Sequence, residues 1–102
     1  MKYIITEQQN TMIYVRRRIE GDFDLIWDII DEGVDAFLCN FDNFERYYRY
    51  VCLSTAKTYL NHYFENEEQE GYSNMEEYLI EYINKNFSRR ITEYWDDNRD
   101  DC

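Results

Sequence analysis

DFDLIWDIIDEGVDAFL, residues 22–38, contains no Lys, Arg or Pro and a single Gly. At 100° per residue, Ile26, Ile29, Ile30, Gly33, Val34 and Phe37 gather on one side of this stretch and the carboxylates gather opposite. A half-buried strand would alternate, whereas these apolar residues recur at three and four, which is the helical period. With Asp22 as the cap residue, the spacing predicts a helix over about 23–40, its apolar side closed by Phe41. Gly33 on that side predicts close approach of another helix, or a bend.

The same logic extends in both directions. Thr6-Glu7-Gln8-Gln9 has the form of a capping box, opening a helix over 7–20 on Met12, Val15 and Ile19, with Arg16–Arg18 in its last turns and Gly21 able to take a left-handed cap. Tyr3, Ile4 and Ile5 read as a short extended lead-in. Asp42-Asn43-Phe44-Glu45 opens a third helix over 43–64, anchored by Phe44, Tyr48, Val51, Cys52, Thr55, Tyr59 and Tyr63. Its other side is apolar too, carrying Leu53, Leu60 and Phe64 beside Tyr50, as expected of a central helix or one that meets a second chain. ENEEQEGYS, residues 65–73, reads as a loop. Ser73-Asn74-Met75-Glu76 is a further capping box, and Met75, Leu79, Tyr82, Ile83, Phe87, Ile91 and Tyr94 give a fourth helix, 74–95, one continuous stripe. The expectation is an all-α, compact four-helix domain over 1–95 with the third helix central, followed by an acidic tail, 96–102, that frays.

Composition narrows the function classes. A chain of 102 residues is one domain, and 44% hydrophobic with 19% aromatic residues is enough to build a core. The net charge of -11 sets the chain against nucleic-acid backbone and anionic membrane, and favours a basic partner. No segment has the length and apolarity of a membrane span or a signal-peptide core, so a cytoplasmic protein is expected, in the host cytoplasm if it is viral. Cys39, Cys52 and Cys102 are odd in number and unpatterned, and read as reduced thiols.

The charge lies in blocks. Residues 21–42 hold seven acids and no base, and 65–77 hold six acids and no base. On the second helix Asp24, Asp28, Asp31, Glu32 and Asp35 form one stripe whose neighbouring pairs repel by about 0.2–0.5 kcal/mol each. Arg16–Arg18, or Lys85, Arg89 and Arg90, could neutralise the stripe within the fold. Facing water, it would present a charge every ~3.3 Å of helix axis, near the ~3.4 Å spacing along one DNA strand. Glu67, Glu68 and Glu70 of the acidic loop join it as candidate partner-binding residues, and Leu53, Leu60 and Phe64 are the candidate oligomer interface.

Other chemistry is weak. His62, the sole histidine, lacks a nucleophile with an orienting acid, so no catalytic residue is assigned. No calcium-loop, zinc or phosphate-loop spacing occurs, so neither metal nor cofactor is expected. FERYYRY, residues 44–50, interleaves Arg46 and Arg49 with aromatics like a base-stacking platform, which the net charge opposes. Tyr47 and Tyr50 then read as rim residues, and the eleven tyrosines suit a protein interface.

The opening Met-Lys-Tyr-Ile-Ile-Thr-Glu-Gln-Gln resembles the starts of small acidic phage proteins with a K-x-I-I-T-E-x-Q stretch. The resemblance covers nine residues and carries no functional residue over; with an Asn-, Tyr- and Ile-rich composition it implies a phage origin. Two functions stay open. The first is a non-enzymatic acidic binding protein, a phage inhibitor that mimics nucleic-acid charge to occupy a basic surface such as that of a nucleic-acid-binding protein. The second is a small assembly subunit that forms a homo-oligomer or docks into a larger complex.

Overall fold

The computed structural model describes residues 7–61, 64 and 71–102, the first six of them by backbone alone. The expected lead-in at Tyr3–Ile5, the Thr6 capping contact, His62, Tyr63 and the acidic stretch 65–70 lie outside the described residues. Four helices, α1 (Glu7–Gly21), α2 (Phe23–Phe37), α3 (Phe44–Leu60) and α4 (Tyr72–Asn98), make an all-α fold, with 3-10 turns at Leu38–Asn40 and Arg99–Asp101. Helix α3 packs against both α2 and α4.

The period read from the sequence becomes the core. Ile26, Ile30 and Val34 of α2 meet Val51, Ala56 and Tyr59 of α3 and Leu79, Ile83, Phe87 and Ile91 of α4 in one buried cluster, which Val15 and Ile19 join from α1. At about 25 cal/mol per Å² of apolar surface, this burial is the main stabilising contribution. Gly33 sits where α2 approaches α3, and a Cβ placed there would lie 3.9 Å from a Val51 methyl, an ordinary contact. The helix is not bent by need of glycine at this site. Gly33→Ala is therefore expected to raise stability by about 0.5–1 kcal/mol, read as a higher urea midpoint; a lower midpoint would show that the helices are closer than this.

Helix ends depart from the sequence expectation in informative ways. Gly21 stays in the right-handed helix; among the described residues the only positive φ is at Gly71, 90°, which leads into α4. Helix α4 consequently begins at Tyr72, and Ser73 falls inside its first turn instead of capping it. Asp22 precedes α2 without making a side-chain cap bond. Its carboxylate accepts the Tyr59 hydroxyl at 2.7 Å and lies 3.7 Å from Arg18 Nε, so a tertiary contact has displaced the local one. Helix α3 is capped one residue later than Asp42, by Asn43 Oδ1 accepting from the Arg46 amide at 3.2 Å.

The tail does not fray. Helix α4 runs on to Asn98, the Arg99 guanidinium stacks 4.9 Å from the Trp95 ring centroid, and Cys102 is bonded to Cys39 beyond the end of α2. The expected pair of separate thiols is thus a disulfide across 63 residues of chain, and Cys52 alone is free. Tyr47 is also corrected: far from the rim, it is fully buried, with its hydroxyl donating to the Val34 carbonyl at 2.7 Å. Leu60 and Phe64 are buried within this chain, and Leu53 is the half-buried member of that trio.

Candidate functional site

The stripe on α2 divides. Asp31, toward α4, receives Arg90 at 2.9 Å, and the Arg90 guanidinium also lies 5.7 Å from the Trp27 ring and 5.6 Å from Tyr94. Both partners keep about a third of their side-chain surface, so screening limits the ion pair to roughly 0–1 kcal/mol, with the aromatic contacts adding to it. Asp35 accepts the Tyr94 hydroxyl at 2.7 Å, a bond that satisfies the carboxylate and leaves its charge in place. Asp24, Asp28 and Glu32 are exposed and make no contact with a base among the described residues.

The arginine run of α1 does not cover them. Arg18 turns to Asp22, and Arg16 lies over the Tyr78 ring at 5.2 Å. Phe23 and Leu25, 38% and 43% exposed, stand beside Asp24 and give this acidic face an apolar edge. Glu67, Glu68 and Glu70 lie outside the described residues. The face therefore consists of Asp24, Asp28, Glu32 and Asp35 with Phe23 and Leu25, while Asp31 belongs to the α2–α4 contact.

Tyrosine hydroxyls do much of the polar pairing. Tyr59 donates to Asp22, Tyr94 to Asp35, Tyr47 to the Val34 carbonyl and Tyr48 to Asn84. A phenol satisfies a carboxylate at neutral pH without a second charge, which suits a chain with twice as many acids as bases. Several phenols are held above their ordinary range. Burial pushes Tyr48 up to about 12 and raises Tyr47 further, while the bond to Asp35 is the leading cause at Tyr94.

Each of these groups titrates higher in the folded chain than in the unfolded one. Their contribution is therefore complete below about pH 10 and is lost as pH rises through the folded values. In an ultraviolet titration some phenolates should appear only above that point, together with loss of helical circular dichroism. Simple ionisation of all eleven tyrosines near pH 10 in a still-folded chain would contradict the packing.

A groove of about 830 Å³ lies between α3 and α4, lined by Phe44, Tyr48, Cys52, Leu53 and Ile80 together with Glu45, Arg49, Glu81, Asn84 and Ser88. Burial pushes the Cys52 thiol up to about 11, so at neutral pH it is not a thiolate nucleophile. Among the described residues no group of three or more His, Cys, Asp or Glu side chains converges to hold a metal ion. No helix among them is long and apolar enough to cross a membrane. The chain matches no protein-family model, no curated protein and no solved structure.

The sequence reading found the carboxylates but not their division. Arg90 lies 59 residues from Asp31, and only the parallel packing of α4 alongside α2, which also sets Phe87 on Phe23 and Tyr94 on Asp35, brings the two together. One signal is in the sequence: Arg90 is among the cations that could neutralise the stripe.

Proposed function

We propose that this chain is a non-enzymatic binding protein that offers the acidic face of α2 to a basic protein surface. The observation that carries this is the trio Asp24, Asp28 and Glu32, which are exposed and have no cation among the described residues, in a segment where their mutual repulsion disfavours the helix. The exposed Phe23 and Leu25 supply the apolar area that a charged patch needs to hold a partner. Such a face raises association rate and sets partner choice more than it raises raw affinity.

With Asp31 neutralised by Arg90, four carboxylates remain along the stripe, about one per 4 Å of axis. That is sparser than the ~3.4 Å of a single DNA strand, so likeness to nucleic acid is one of charge sign and rough spacing. A nucleic-acid-binding protein is still the partner class with the most suitable basic surface, and a phage-encoded inhibitor is the setting that agrees with the resemblance of residues 1–9. In a reducing cytoplasm the Cys39–Cys102 pair would be open thiols; the acidic face contains no cysteine and does not depend on the bond.

The test is capture of a basic protein from a host lysate by the intact chain and by Asp24→Asn/Asp28→Asn/Glu32→Gln, each at low and raised salt. Capture by the intact chain that weakens with salt and is reduced at least tenfold in the variant is expected. Equal capture by both would remove the proposal.

A further inference from the structure

The outward face of α3 is the chemical complement of the acidic face of α2. Arg46 and Arg49 are exposed, and neither has an ion-pair partner among the described residues, although acids outnumber bases twofold in this chain. Lys57 continues their row along the helix. Between them Leu53 lines two hollows, the 830 Å³ groove toward α4 and a smaller one of about 220 Å³ that it shares with Tyr50 and Lys57. A helix laid along this face would meet cations at both ends and an apolar depression in the middle.

Spacing identifies the occupant. Asp35 and Glu32 are three positions apart, as are Arg46 and Arg49, and Asp35 and Asp24 are eleven apart, as are Arg46 and Lys57. Eleven positions span about 16.5 Å of helix axis. Laid antiparallel, α2 of one copy sets Asp35 against Arg46, Glu32 against Arg49 and Asp24 against Lys57. Asp28 then falls opposite Leu53, where the hollows leave its carboxylate open to water, and exposed Leu25 is the apolar side chain at hand for the depression.

We infer that a second copy of this chain docks the acidic face of its α2 along the Arg46–Arg49–Lys57 face of α3. The contact joins two different surfaces, so it is heterologous and propagates to longer assemblies or rings instead of stopping at two. It rests on the same acidic face as the proposed function and would compete with an external basic partner for it. Because each copy carries -11, the encounter is opposed at long range, and association is best read at about 0.15 M salt, where charges beyond about 8 Å are screened.

Sedimentation of the full chain across a wide dilution series provides the test, with Asp24→Asn/Asp28→Asn/Glu32→Gln and Arg46→Gln/Arg49→Gln as variants whose folding is checked by circular dichroism. The intact chain is expected to gain mass with concentration beyond a dimer, and each variant to remain monomeric. Mixed together, the variants should form a one-to-one pair that grows no further, since one retains only the basic face and the other only the acidic face. An intact chain that is monomeric throughout, a variant that assembles like it, or a mixture that fails to pair would overturn the inference. Arg46→Gln/Arg49→Gln keeps the α2 acids, so its capture of a basic protein tests the proposed function separately: capture by this variant leaves that reading standing even where the intact chain stays monomeric, and no capture by a monomeric variant whose parent assembles removes that reading alone.

Discussion

Replacing Tyr47 by alanine is expected to lower stability by about 3–5 kcal/mol, a large share of the roughly 5–15 kcal/mol typical of a domain. Its ring is wholly buried and packs 4.8 Å from that of Trp95, while its hydroxyl reaches across to the Val34 carbonyl. Alanine removes the ring and leaves a cavity where α2, α3 and α4 meet. Tyr47→Phe keeps the ring and loses one buried hydrogen bond, for about 1 kcal/mol. Urea denaturation of both variants separates the two contributions. A Tyr47→Ala midpoint within error of the parent would place this side chain on the surface and undo the packing described.

The second large effect is expected at the Cys39–Cys102 bond. Closing a loop across 63 residues restricts the unfolded chain, and loss of the link in Cys39→Ser/Cys102→Ser should lower stability by about 2–4 kcal/mol under non-reducing conditions. Addition of dithiothreitol should bring the parent down to the variant and leave the variant unchanged. Identical midpoints with and without reductant in the parent would mean that the bond does not form. The rest of the clasp is weaker: Arg99 lies 3.9 Å from a solvent-exposed Asp42 carboxylate and cannot hold the tail alone.

Helical period was legible because it is written locally. Residues 26, 30 and 34, and 75, 79, 83, 87 and 91, announce their buried faces without reference to any other segment, and the structure buries all of them. What could not be read is what distant residues do to one another. Asp22 has the composition of a helix cap, yet Tyr59 lies close enough in the fold to take its carboxylate. The three cysteines have no spacing rule, and their pairing follows from α4 running three residues further than its apolar stripe suggests and carrying Cys102 back to Cys39. Tyr47 reads as a rim residue from the Arg- and Tyr-rich stretch around it; its helical angle falls between the two apolar sides of α3, a gap that Trp95 fills from α4.

For the candidate site, the sequence located the carboxylates and the structure sorted them by neighbour. Asp31 has a cation because Arg90 is held over it by Trp27 and Tyr94; Asp28, three positions before it, and Glu32, one after, are exposed and have none among the described residues. The surplus of tyrosine likewise has two uses. Tyr47, Tyr48, Tyr59 and Tyr94 spend their hydroxyls inside the fold, whereas Tyr14 and Tyr50 remain 55% and 43% exposed.

The central claim is that these outward acids do not serve the fold. Chemical denaturation of Asp28→Asn/Glu32→Gln tests it most directly, because the change removes repulsion with Asp24, Asp31 and Asp35 at three- and four-residue spacing and alters little else. The expected result is a midpoint equal to the parent's or higher, by up to about 1–2 kcal/mol at low salt, with the gain shrinking as salt is added. A midpoint lower by more than about 1 kcal/mol would show that Asp28 and Glu32 are held by cations within the fold, and the acidic face would then be part of the structure's own charge pairing.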